Sequence, residues 1–173
     1  MRNNQTLEQV SNVAESKVQL LKNSKGKYFL SSFMAGMFIG LGILLTFTVG
    51  GVSSGLPTNK ILMGVSFGIA LSLVVVFGTE LFTGNNMVGV TGMLNKAITF
   101  KDMIFMWIAA YIGNVVGSVV LAIIYVFSNS ASKSVVDFIV KVSKVKVAAL
   151  PQELFFKGIL CNILVCLAVL AGI

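Results

Sequence analysis

Few residues in this chain could carry out acid–base, nucleophilic or metal chemistry. The sequence has no histidine, which removes imidazole as a base, a proton relay or a metal ligand. Its two cysteines, Cys161 and Cys166, lie five residues apart in an apolar run, so on a helix they point about 140° apart. We expect two small buried thiols that neither bond to each other nor share a metal, and we predict no cofactor.

Glu80 is the titratable residue in the least expected surroundings. The segment 80–86, ELFTGNN, interrupts apolar sequence that otherwise runs from Ile61 to Leu94. That stretch is too long for one ordinary membrane span of about 20 residues, and an unpaired carboxylate near its middle is costly. The pattern favours a broken helix with a loop near the bilayer midplane, braced by Glu80. The alternative is two short helices joined by a surface turn at residues 84–86.

The composition places these residues in a membrane. Hydrophobic residues make up 56% of the 173 positions and charged residues 11%, whereas a soluble domain averages about 45–50% and about 25%. This balance disfavours a soluble enzyme, a disordered tail and a nucleic-acid-binding module. It predicts an all-α, polytopic membrane protein. The apolar runs predict helices at about 28–51, 61–79 and 87–94 (on either side of the loop 80–86), 103–127 and 154–173.

The first 27 residues differ from the rest, and we separate them from a transmembrane domain at 28–173. Apolar residues recur there at spacings of three and four, which form one face of a helix: Leu7, Val10, Ala14, Val18 and Leu21. We predict an amphipathic helix that lies on the membrane or on a neighbouring subunit. A solvated leader helix is the alternative.

Lysines flank the predicted spans on both sides. The basic N-terminal segment favours a cytoplasmic N-terminus, which also puts the 95–102 loop inside. The opposite side then carries Lys60, Lys133, Lys141, Lys144 and Lys146. These outer lysines fit either a basic vestibule that gathers anions or the simple anchoring of an interfacial helix.

Two segments resemble the motifs of the formate/nitrite transporter family. Residues 77–84, FGTELFTG, resemble its first motif, G-[small]-[acidic]-L-F-T-G. Residues 158–168, GILCNILVCLA, resemble its second, G-x-x-[C/A]-N-x-x-V-C-L-A, in the family's order. The continuation TGNNM at 83–87 is most similar to the hydrosulfide-conducting branch.

The resemblance implies an aquaporin-like helical bundle of inverted repeats whose second helix is broken. It also implies a homopentamer in the bacterial cytoplasmic membrane, each protomer holding a pore for formate, nitrite or hydrosulfide. Lys146 and Asn162 match a basic pair on the family's fourth helix that attracts anions. Pore and constriction roles are assigned, relative to the motifs, to Phe67, Leu71, Leu81, Phe82, Thr83 and Val165.

The chain departs from the family in one respect. The family's central pore histidine lies on its fifth helix, and this chain has no histidine. The sequence stops where the fourth helix closes. We therefore expect helices 5 and 6 to be absent here and the functional protein to be longer.

The leading functional prediction is a passive or proton-coupled channel for small monovalent anions, with the lipid bilayer and other copies of the chain as partners and no nucleic acid. Hydrophobic rings at Phe67, Leu71 and Leu81 would force the anion to shed water. The alternative is a non-conducting membrane scaffold, or a fragment of such a channel. A membrane enzyme is disfavoured because Glu80, Lys157 and the cysteines form no nucleophile–base pairing.

Overall fold

A computed structural model describes residues 2–172, with side chains from residue 5 onwards. This part of the chain forms seven helices and contains no strand. Four of the helices, α2, α3, α5 and α7, are long and apolar enough to cross a membrane. The prediction of an all-α, multi-pass membrane protein is confirmed. The helices are α1 (Arg2–Asn23), α2 (Lys25–Val52), α3 (Asn59–Val76), α4 (Phe82–Leu94), α5 (Phe100–Ser128), α6 (Lys133–Val147) and α7 (Pro151–Ala171).

Helix α2 lies at the centre and packs on both α5 and α3. Small residues allow the close approach: a Cβ atom at Gly36 would overlap the backbone of Asn114, and one at Gly117 would overlap the backbone of Phe33. Ser118 Oγ also donates a hydrogen bond to the Gly36 carbonyl at 3.1 Å. Membrane helices have no hydrophobic drive to associate with one another, so such backbone-to-backbone packing holds this pair together.

Helix α1 packs on its own chain, which corrects the prediction that it lies on the membrane or on another subunit. Val10, Ala14 and Val18 are buried in a core shared with α4 and α5, whereas Leu7 remains 46% exposed. Gly92 on α4 makes this possible, because a Cβ atom there would collide with Ala14. The boundary also shifts, since residues 25–27 belong to α2.

The helix break comes earlier than the sequence predicted. Helix α3 ends at Val76 and α4 begins at Phe82, so the loop is 77–81 rather than 80–86. The turn is made by Gly78, whose φ of +59° lies in the left-handed region that favours glycine. Residues 84–86 are helical, and the surface-turn alternative is wrong because Glu80 and Leu81 are 3% and 8% exposed.

Helices α6 and α7 occupy the two flanks. Helix α6 packs its Val135 and Phe138 on Gly50 and Gly51 of α2. Helix α7 contacts α4 and α3, and no residue of Pro151–Ala171 is fully buried against the part of the chain that the structure describes. We predicted that both thiols are buried. This is wrong for Cys161, which is exposed because no described helix covers its face of α7, whereas Cys166 is half-buried.

Candidate functional site

Glu80 is a buried carboxylate in the loop between α3 and α4. Its Oε1 accepts a hydrogen bond from Lys17 Nζ of α1 at 2.8 Å, and its Oε2 accepts one from Asn85 Nδ2 of α4 at 2.9 Å. A buried charge is tolerated when it is both paired and hydrogen-bonded. Glu80, which was predicted to brace the loop, thus forms an ion pair that connects α1 to the loop between α3 and α4.

Asn85 extends this network to α2 and α5. Its Nδ2 also donates to Tyr28 Oη at 3.2 Å, and that hydroxyl donates to the Met106 carbonyl at 3.1 Å. Trp107 Nε1 donates to the Asn85 carbonyl at 2.9 Å. Tyr28 and Asn85 are both almost completely buried, so the carboxylate sits on a polar cluster whose hydrogen bonds are internal to the chain.

Asn114 of α5 holds the backbone of the loop. Its Nδ2 donates to the Glu80 carbonyl at 2.9 Å and to the Ser32 carbonyl of α2 at 2.8 Å, and its Oδ1 accepts from the Phe82 N–H at 2.9 Å. Ser31 Oγ accepts from the Glu80 N–H at 3.2 Å. Non-helical backbone inside a membrane protein must find its partners in the protein, and these side chains supply them.

Leu81 presents the apolar side of the loop. It forms a cluster with Ala35 of α2 and Val74 of α3, against which Leu71 of α3 and Val165 of α7 pack. Three of the predicted constriction residues, Leu71, Leu81 and Val165, are therefore together although they come from two helices and a loop.

The other predicted pore residues lie outside that cluster. Phe67 is one helical turn before Leu71 and is 40% exposed. Phe82 and Thr83, predicted in the loop, are the first residues of α4. The Phe82 ring packs edge-on against Tyr111 of α5, with the ring centroids 5.5 Å apart, and belongs to the core around α1 and α5. The Thr83 carbonyl lies 3.9 Å from Cys166 Sγ.

The expected pair of Lys146 and Asn162 on a single helix is wrong. Helix α6 ends at Val147 and Pro151 starts α7, because proline favours the first turn of a helix and cannot continue one. Lys146 is exposed on α6, with Nζ 5.9 Å from the Phe47 ring centroid. Asn162 on α7 accepts a hydrogen bond from Asn86 Nδ2 at 2.8 Å.

A cavity of about 120 Å³ lies beside the loop, between α1, α3, α4 and α7. Its wall includes Lys17, Thr79, Leu81, Asn85 and Val169. It therefore joins the charged side of the loop to the apolar cluster, and it is large enough for several water molecules.

Lys17, Tyr28, Asn85 and Asn114 are the site residues that the sequence analysis did not select. The sequence position of Lys17 could have identified it as a site residue, because it lies three residues after Ala14 and seven after Val10, on the face that α1 buries. A carboxylate inside an apolar stretch needs a cation, and a lysine beside a buried stripe is a candidate. Asn114 lies in the middle of a predicted span, where an amide can either pack between helices or satisfy broken backbone.

Comparison with known proteins identifies relatives of this chain. Residues 4–173 match the family model described as formate/nitrite transporter. The chain is 40% identical over 152 residues to the nitrite transporter NirC of Escherichia coli (strain K12), covering 87% of this chain and 56% of NirC. It is 34% identical over 167 residues to the uncharacterized transporter YwcJ of Bacillus subtilis (strain 168), covering 95% of this chain and 65% of YwcJ.

Two solved structures share the fold. An FNT family ion channel superposes with a TM-score of 0.87 at 34% identity, covering 98% of this chain and 72% of that one. A pentameric formate channel with formate bound superposes with a TM-score of 0.75 at 30% identity, covering 86% and 60%. This chain thus spans a little over half the length of NirC and about two thirds of YwcJ. The family model and both structural matches cover nearly all of it, and the chain belongs to the formate/nitrite transporter family.

Proposed function

We propose that the full-length protein is a membrane channel for small monovalent anions. The observation that carries this proposal is the packing of Leu71 and Val165 against the cluster that contains Leu81, on a loop fixed by hydrogen bonds. We infer that such packing between helices able to cross a membrane forms an apolar constriction. Membership of a family whose relatives are named as a nitrite transporter and a formate channel supports the same function.

In this proposal, the constriction acts by removing water from a passing anion. An anion that passes Leu81 must shed much of its water, which is unfavourable for a charge and easier for a neutral weak acid. Lys17 in the wall of the adjacent cavity is neutralised by its ion pair with Glu80, so this pair adds no net positive charge there. Helix α4 begins next to Leu81, and its N-terminus is the positive end of the helix dipole.

The orientation and assembly belong to the same proposal. Lys22, Lys25 and Lys101 gather at one end of the membrane-crossing helices, and an excess of lysine marks the cytoplasmic side. We therefore place the N-terminus in the cytoplasm of a bacterium, with the chain in the cytoplasmic membrane. A homopentamer is supported by the pentameric formate channel that the fold resembles.

Anion flux into liposomes tests the proposal. The full-length protein is reconstituted, and the uptake of nitrite, formate, hydrosulfide and the larger anion acetate is compared. Wild type should conduct at least one of the first three faster than acetate. Leu81→Ala should raise acetate flux, because truncation widens the apolar contact, whereas the matched control Leu94→Ala, at a position that is 70% exposed, should change neither rate nor selectivity.

Two results would contradict the proposal. A pentamer that is intact by native mass spectrometry but passes none of these anions favours the non-conducting scaffold. A Leu81→Ala channel with unchanged flux and unchanged acetate discrimination removes Leu81 from the constriction.

A further inference from the structure

A groove of about 510 Å³ lies on the surface of the part of the chain that the structure describes, where α1 ends and α2 and α5 begin. It is separate from the helix break and shares no lining residue with the cavity beside Leu81. Its rim is charged and its floor is apolar. The rim consists of Lys22, Lys25, Lys101 and Asp102, and the floor of Val18, Leu21, Phe105 and Ala109.

The charges of the rim do not cancel. Lys22 Nζ pairs with Asp102 Oδ1 at 2.7 Å, which neutralises the one carboxylate. Lys25 and Lys101 form no ion pair with the residues that the structure describes, and Lys101 Nζ lies 6.0 Å from the Phe105 ring centroid. Three lysines against one aspartate leave two positive charges in excess, so the rim attracts an anionic group.

The depth of these residues matches a bilayer leaflet. Lys25 is the first residue of α2 and Lys101 the second of α5, and both helices are long and apolar enough to cross the membrane. Phe105 and Ala109 follow Lys101 at helical spacings of four and eight residues on the same face. A rise of 1.5 Å per residue puts them about 6 and about 12 Å deeper. The groove is thus basic at headgroup level and apolar below it.

We propose that this groove binds an anionic phospholipid from the leaflet on the α1 side. The phosphate sits between Lys25 and Lys101, and an acyl chain lies along Phe105, which is 57% exposed, and Ala109. The excess positive charge of the rim and the apolar floor below it match the phosphate and the acyl chain of such a lipid. The bound lipid would hold the end of α1 against α5.

Lipid titration followed by native mass spectrometry tests this proposal. The full-length protein in detergent is titrated with phosphatidylglycerol and with phosphatidylcholine of identical acyl chains. Wild type should prefer phosphatidylglycerol. Each lysine near a membrane surface contributes about 5-fold to anionic lipid binding, so Lys25→Gln/Lys101→Gln should lower the preference about 25-fold. The matched control Lys141→Gln/Lys144→Gln, on α6, and the conservative Lys25→Arg/Lys101→Arg should both retain it.

Several outcomes would overturn the lipid site. These are equal binding of the two lipids to wild type, an unchanged preference in Lys25→Gln/Lys101→Gln, and displacement of the lipid by glycerol phosphate as effectively as by phosphatidylglycerol. A change of oligomer mass in that variant with unchanged lipid binding would assign the groove to a second copy. If the double variant does not fold, Lys101→Gln alone should still lose about 5-fold. Lipid preference is measured without anion flux, so its failure leaves the channel proposal standing.

Discussion

The ion pair between Lys17 and Glu80 can be tested by removing one charge at a time. Lys17→Met keeps the length and the apolar stem of the side chain but leaves the carboxylate of Glu80, which is 3% exposed, without a cation. Breaking a buried pair from one side costs about 3–5 kcal/mol, because the remaining charge stays buried without compensation. The Lys17 side chain is 17% exposed and water reaches it, so we expect about 3 kcal/mol.

Thermal unfolding of the purified protein measures this loss. In a protein of this size each kcal/mol lowers the melting temperature by about 2–4 °C, so Lys17→Met should lower it by about 6–12 °C. Lys22→Met is the matched control on the same helix. It removes the pair with Asp102, but the Lys22 side chain is 61% exposed. Exposed pairs contribute about 0–1 kcal/mol, so the control should lose no more than about 4 °C.

The double variant Lys17→Met/Glu80→Gln completes the test. Glutamine keeps an oxygen for Asn85 and removes the buried charge, so the double variant should be more stable than Lys17→Met alone. The reasoning is refuted if Lys17→Met is no more destabilising than Lys22→Met, or if the double variant melts at or below the temperature of Lys17→Met.

Two further predictions, tested with three variants, concern how the loop and the central helix pair are held. Asn114→Leu leaves the Glu80 carbonyl and the Phe82 N–H without their partner. Because an unsatisfied buried group costs about 1–3 kcal/mol, the melting temperature should fall and anion flux should be lost together. A stable, conducting Asn114→Leu channel would contradict the role given to this amide. Gly117→Ala puts a methyl group into the backbone of Phe33 and should abolish folded expression. The control Gly64→Ala has no atom near its added Cβ and should gain up to about 1 kcal/mol of stability from helix propensity. Equal yields of folded protein for the two variants by size-exclusion chromatography would argue against close packing of α2 and α5.

Apolar runs were enough to predict the helices, because burial in lipid constrains composition more than it constrains individual residues. All four membrane-crossing helices lie within a few residues of their predicted bounds. The break was placed too late because Gly84, Asn85 and Asn86 are turn formers in isolation. In the fold, Asn85 is buried and bonded to Glu80 and Tyr28, and tertiary contacts override its turn propensity.

The site was only partly predictable. Leu81 and Val165 came from their places in two motifs, and Leu71 from its place relative to them. The cation that pairs with Glu80 lies 63 residues away in sequence, and no local pattern connects the two. Lys146 and Asn162 were placed on one helix only by their resemblance to a pair on the family's fourth helix, and not by the residues around Pro151. Pairings across such distances depend on how helices pack, which periodicity does not encode.

The three hydrogen bonds of Asn114 fix one side of the proposed constriction. They join α5, α2 and the loop at 2.8–2.9 Å, so a relative shift of about 1 Å along any of them takes it beyond hydrogen-bond length. These hydrogen bonds therefore fix the position of Leu81 relative to α2 and α5. Leu71 and Val165 lie on α3 and α7, which these bonds do not reach. In the proposed channel, a gating motion that keeps these three hydrogen bonds would have to move Val165 on α7 relative to Leu81, because α3 packs closely on α2 where Ala70 meets Gly42.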